Sequence, residues 1–111
     1  MYKIVQGQKI GRKIGFPTLN LEPAQLDQNF GVYACRACFK NAECFKGILH
    51  YGVRKSTDQK TTLEVHLFDF NREVYGEEVT LEVGKKIRET RKFQTLEELK
   101  RQIEEDVKSV L

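Results

Sequence analysis

The sequence has no apolar run approaching the length of a membrane span, and no secretory hydrophobic stretch follows Met1. A cytoplasmic protein that makes no membrane contact is therefore expected. Cysteine is scarce: Cys35, Cys38 and Cys44 are an odd number, which excludes a complete disulfide framework, and in a cytosolic chain they read as reduced thiols. Cys35 and Cys38 look like half a zinc knuckle. A spacing of three sends them to opposite faces of a continuous strand, however, and no fourth ligand is evident near Cys44. Charge of one sign is also in short supply. With 19 Lys and Arg against 16 Asp and Glu, the formal charge is +3, too small to argue for nucleic-acid binding by itself. There is no internal repeat and no low-complexity tract.

What remains is ordinary for a globular protein: 40% hydrophobic and 32% charged residues in a chain of 111, the size of one domain over residues 1–111. The two prolines, Pro17 and Pro23, join Gly7, Gly11 and Gly15 in the N-terminal quarter, which reads as a loop laid over a scaffold. From Gly31 the pattern is that of strands. Gly31–Phe39 is one, and Phe45–Tyr51 follows through a turn around Asn41. Thr62–Phe68 has a period of two, with Leu63, Val65 and Leu67 on one face and Glu64 and His66 on the other. Asn71-Arg72 offers a turn, after which Val79, Leu81 and Val83 alternate. Short consecutive strands with tight turns suggest an antiparallel sheet closed into a small barrel. Leu96, Leu99, Ile103 and Val107 then recur at helical spacing, behind a capping box at Thr95-Leu96-Glu97-Glu98 and with Glu97–Arg101 and Glu104–Lys108 as i,i+4 pairs. This helix is expected outside the barrel in a structural role.

Two constellations carry chemistry. In the segment Gly7–Leu21, three glycines four residues apart let backbone amides approach an anion, and Lys9, Arg12 and Lys13 add positive charge. Thr18 and Asn20 are hard oxygen donors of the kind that suit Mg²⁺ beside a polyphosphate. The segment is not a P-loop, and a glycine-rich hairpin with local turn bonds at Thr18 and Asn20 explains it equally well. The second constellation is Glu64 on the strand face opposite the aliphatics. It is either simply solvated or, in a ligand cleft, a base that takes a proton from an attacking hydroxyl. His66, on the same face, is a weaker candidate for that task. The basic run Lys85–Lys92 reads as a solvated linker from which an arginine could reach a phosphate.

In order along the chain, these segments resemble the riboflavin kinase family, including the C-terminal half of bacterial bifunctional FAD synthetases. The resemblance rests on Gly15-Phe16-Pro17-Thr18-Leu19-Asn20-Leu21, Gly31-Val32-Tyr33-Ala34, Leu63–Phe70, Tyr75-Gly76, Arg88, Lys92-Phe93 and the helix with Gln102-Ile103 and Asp106. It implies a mainly β fold: a small closed six-stranded antiparallel Greek-key barrel with the C-terminal helix packed outside. It also implies transfer of the γ-phosphate of ATP to the 5′-hydroxyl of riboflavin, giving FMN and ADP. Glu64 would be the general base. Gly7, Lys9, Gly11, Arg12, Gly15, Pro17, Thr18 and Asn20 would bind the nucleotide, Thr18 and Asn20 would hold the divalent metal (Mg²⁺, or Zn²⁺ or Mn²⁺), and Arg54, Arg88 and Thr90 would face the flavin substrate. A monomer that binds no nucleic acid is expected, and FAD synthesis is not.

The chain departs from the family pattern in two places. Gly52-Val53-Arg54-Lys55-Ser56-Thr57 stands where Gly-Thr-Arg-Pro-Thr-Phe is usual, and Thr90 stands where a glutamate is usual. Both bear on the flavin side. The alternatives are a non-catalytic flavin- or nucleotide-binding module of the same fold, and a small barrel that binds nucleic acid through its basic residues. The latter lacks interleaved exposed aromatics beyond Phe16 and Phe93.

Overall fold

The computed structural model describes residues 1–5, 18–22, 24–53, 61–68, 74, 76–91 and 93–110. The glycine loop through Pro17, Arg54 with its neighbours, and the turn expected at Asn71-Arg72 lie outside them. The described elements are β1 (Tyr2–Val5), β2 (Thr18–Leu21), β3 (Gly31–Phe39), β4 (Cys44–Val53), β5 (Thr61–Leu67), β6 (Glu78–Arg88) and a helix, α1 (Leu96–Val110). The six strands close into a barrel in the order β1-β2-β5-β4-β3-β6, and every pairing is antiparallel. The mainly β, closed six-stranded barrel with a C-terminal helix is thus as expected.

The alternation of side chains decides what the barrel encloses. Leu19 and Leu21 of β2, Tyr33, Cys35, Ala37 and Phe39 of β3, Leu49 and Tyr51 of β4, Leu63, Val65 and Leu67 of β5, and Val79 of β6 form one buried cluster. Full burial of each such aliphatic side chain is worth about 1.5–3 kcal/mol. The intervening residues point outward, and there Val32 and Ile48 are also fully buried, together with Ile103 of α1, which packs against β4. The helix therefore sits outside the barrel on a small second core.

Three expectations change. The N-terminal quarter is not only loop, because its two short apolar stretches supply β1 and β2. Lys85–Arg88 belongs to β6 rather than to a linker, since its backbone continues the ladder to β3. That ladder shifts register twice, between Val32 and Tyr33 and between Tyr33 and Cys35. The shifts bring Arg88, rather than Lys86, opposite Val32. Cys38 and Cys44 are disulfide-bonded, not reduced, because the β3–β4 hairpin sets them directly opposite each other across the turn at residues 40–43. The spacing argument for Cys35 holds: it points into the core as a free thiol, and burial pushes its pKa up to about 12.

The start of α1 follows the capping box in part. The Thr95 hydroxyl accepts the Glu98 amide at 3.2 Å, while the Glu98 carboxylate takes the amide of Gln94, one residue before the expected Thr95. Glu97 and Arg101 approach to 4.0 Å, an exposed pair worth a few tenths of a kcal/mol at most. Leu96 is exposed, so the apolar stripe narrows to a face centred on Ile103 and the buried Asp106.

Candidate active site

β5 lies between β2 and β4, so its outward side chains meet those of both neighbours. The registers are Asn20↔Glu64↔His50 and Thr18↔His66↔Ile48. Directly opposed residues on one face have Cβ atoms about 4.5–5.5 Å apart. Thr18, Asn20 and Glu64, assigned by sequence to one site, are therefore brought onto one patch of the outer wall. Each is half-buried, neither sealed in the core nor out in bulk water. The next row, Gly52↔Thr62, adjoins Glu64 on the other side, and the Thr62 hydroxyl faces the Gly52 carbonyl at 3.5 Å.

His66 is buried at 4% exposure even though it is on the outward face. Its Nδ1 lies 3.0 Å from Thr18 Oγ1, and its ring meets that of His50 edge-to-face at 5.0 Å. His50 is a residue the sequence reading passed over. Its Nε2 is buried without a hydrogen-bond partner among the described residues. Burial, with His66 and Arg88 adding to it, lowers its pKa to about 3, while Asp106 pulls the other way. The ring is neutral at ordinary pH.

The row continues from His50 through Val32 to Arg88 on β6. Arg88 donates to both carboxylate oxygens of Asp106 (Nε–Oδ1 3.0 Å, Nη2–Oδ2 2.9 Å) and to the Glu89 carbonyl (Nη1, 3.0 Å). Gln102 gives Asp106 a further bond at 3.0 Å. Arg88 is thereby tied to α1. Thr90 is exposed, and its Cγ2 stands 3.7 Å from the position a Cβ would take on Gly52. Thr90 thus stands beside Gly52, the residue that opens the other departing segment, one row beyond Glu64.

Asp106 was visible in the sequence only through the resemblance, and its burial comes from the Arg88 bond. His50 had a fainter signal, its place in the alternation with the buried Leu49. Gly7, Lys9, Gly11, Arg12, Gly15, Pro17 and Arg54 lie outside the described residues. The donors at hand are a hydroxyl, an amide carbonyl and a neighbouring carboxylate, all hard oxygen. No group of three or more His, Cys, Asp or Glu is placed to hold a metal among the described residues. That set suits a magnesium-like cation carried mostly by phosphate and water, and not a thiolate- or imidazole-bound metal.

The Flavokinase family model, riboflavin kinase, matches residues 2–111. The bifunctional riboflavin kinase/FMN adenylyltransferase of Haemophilus influenzae is 41% identical over 109 residues, covering 96% of this chain and 35% of the relative. An RNA-binding riboflavin kinase of Bacillus subtilis is 38% identical, with 96% of this chain and 47% of the relative covered. The chain thus spans between a third and a half of the length of these relatives. Among solved structures, a macrolide-efflux protein from Streptococcus pneumoniae superposes with a TM-score of 0.85 at 29% identity, over 96% of this chain and 36% of that one. No helix among the described residues is long and apolar enough to cross a membrane. On the match along nearly its whole length, the chain belongs to the riboflavin kinase family.

Proposed function

We propose that the protein transfers the γ-phosphate of ATP to the 5′-hydroxyl of riboflavin, with Glu64 as the general base. The observation that carries this reading is the cross-strand pairing of Asn20 with Glu64, with Thr18 one row away on the same wall. Phosphoryl transfer asks chiefly for positioning and charge neutralisation. Thr18 and Asn20 would hold a divalent cation, Mg²⁺ by the hardness of the donors, and that ion would neutralise charge on the nucleotide phosphates. Glu64 draws the hydroxyl proton as the oxygen attacks phosphorus. Its position supports this role, with the nucleotide residues on β2 to one side and the Thr62–Gly52–Thr90 edge, where the flavin would lie, on the other.

Within this reading, Gly7, Lys9, Gly11, Arg12, Gly15 and Pro17 would cover the phosphates, and Arg54 and Thr90 would border the flavin. Arg88 serves the flavin side by anchoring α1, given its bonds to Asp106. On this reading the domain over residues 1–111 is cytoplasmic and monomeric and takes no nucleic acid.

The test is turnover. Purified protein with Mg-ATP converts riboflavin to FMN, read by chromatography, and Glu64→Gln removes turnover by about 10²-fold or more while ADP binding persists. Quenching of riboflavin fluorescence without product would leave a flavin-binding module. Full turnover in Glu64→Gln would remove the assignment of the base.

A further inference from the structure

A cation can use the Thr18 hydroxyl only if the hydroxyl hydrogen points elsewhere. A threonine oxygen carries one hydrogen and two lone pairs, and a hydrogen aimed at a metal site costs the site its ligand. Something must take that hydrogen from the protein side. Among the described residues His66 is placed to do so: it is Thr18's register partner, with Nδ1 at 3.0 Å from Oγ1. Its ring has little room to turn, being buried on the outward face and met edge-on by His50.

Resting on the kinase reading above, we propose that His66 is a positioning residue. Its unprotonated Nδ1 accepts the Thr18 hydroxyl hydrogen, which fixes the Oγ1 lone pairs toward the metal-nucleotide site. The proton of the ring then sits on Nε2. This is the relation by which a hydrogen-bonding partner behind a ligand sets its orientation, and removing such partners typically costs about 10–100-fold in metal affinity. With Nδ1 engaged by Thr18, His66 is not the group that takes the substrate proton, and that task stays with Glu64.

The first test needs no activity. The chain has two histidines, so long-range ¹H–¹⁵N spectra of the imidazoles are readily assigned. His66 is expected to show an unprotonated Nδ1 and a protonated Nε2, and to shift in Thr18→Val. A proton on Nδ1 overturns the proposal. The second test is binding, measured by calorimetry with ADP in the presence and absence of Mg²⁺. His66→Leu should weaken Mg-ADP about tenfold or more and leave metal-free ADP unchanged. His66→Asn, whose amide oxygen can occupy the Nδ1 position, should restore most of the loss. In turnover, the KM for Mg-ATP should rise in His66→Leu while the KM for riboflavin stays put.

A double-mutant cycle closes the argument. In a Thr18→Val background, His66→Leu should cost nothing further, and an equal loss in both backgrounds overturns the proposal. If Thr18→Val weakens Mg-ADP but His66→Leu does not, only the role of His66 falls. If Thr18→Val itself leaves Mg-ADP binding intact, the metal-site reading falls and takes His66 with it.

Discussion

Replacing Asp106 with alanine tests whether α1 is pinned to the barrel by one ion pair. Asp106 is 2% exposed and accepts three bonds from Arg88, at 3.0, 3.2 and 2.9 Å, and one from Gln102 at 3.0 Å. The Arg88 side chain is itself only 16% exposed. Removing the carboxylate leaves a mostly buried guanidinium with the Glu89 carbonyl as its remaining acceptor, a change that costs up to about 3–5 kcal/mol. A domain of this size has about 5–15 kcal/mol of stability, so the variant is expected near the edge of folding. The urea midpoint by circular dichroism should fall with little change in slope, and the melting temperature should drop by roughly 12 °C or more. Replacing both partners with apolar residues, Arg88→Met with Asp106→Leu, should recover most of the loss, because no buried charge is then left unpaired. A cost below about 1 kcal/mol for Asp106→Ala, or a double variant no better than the single one, refutes the reasoning.

Stability should fall with acid below the ordinary histidine range. His50 is held down to about pH 3 in the fold against 6.5 for a free side chain, so the unfolded state binds the proton first. The contribution is complete above pH 6.5 and is lost from there toward pH 3, amounting to about 2 kcal/mol by pH 5. Around the ring stand His66, Glu64, Arg88 and Asp106, so the check is urea unfolding at pH 7.5 and 5 in wild type and His50→Leu, the variant losing less. Without reductant, iodoacetamide should label Cys35 alone, and only as fast as the protein unfolds, because the thiol is buried and protonated. Labelling of folded protein at the rate of an exposed thiol would contradict this. Gly47→Ala should destabilise by about 1–3 kcal/mol, since a Cβ there would meet the His66 carbonyl oxygen and Leu67 Cδ2 at 2.9 Å. The same denaturation assay reads it.

The parts of the fold that could be read from sequence are those in which one strand carries its own evidence. β5 alternates Leu63, Val65 and Leu67 against Glu64 and His66, and the period of two alone fixes which residues enter the core. β1 and β2 are four residues each, too short for a period to stand out, and their strand character comes from pairing with β6 and β5. The end of β6 was hidden for a related reason. Lys85 to Arg88 looks solvated until two register shifts turn Arg88 toward α1. Leu96 was expected to pack because it shares a helical spacing with Ile103, but the contact with the barrel starts farther along, where Ile103 and Asp106 are buried. For the candidate site, the outward placement of Glu64 was legible from the alternation of its strand, and its register with Asn20 was not. His50 was passed over and Asp106 entered only through the resemblance, because their surroundings arise only when α1 packs on the β4 wall.

Among the described residues the barrel interior is filled by its own side chains, and Thr18, Asn20 and Glu64 stand on the outer wall. An outer wall ordinarily faces open water, where a carboxylate and two polar side chains would have no fixed geometry. Here the wall is partly roofed. α1 packs against β4, Asp106 fixes the helix to Arg88, and the row from Arg88 runs through Val32 and His50 to Glu64. The helix therefore does more than stabilise. It is tied to the far end of the outward row that holds Glu64, so a loss of the Arg88–Asp106 bond is expected to disturb the β6 and β4 end of that row before it reaches Thr18 and Asn20 on β2.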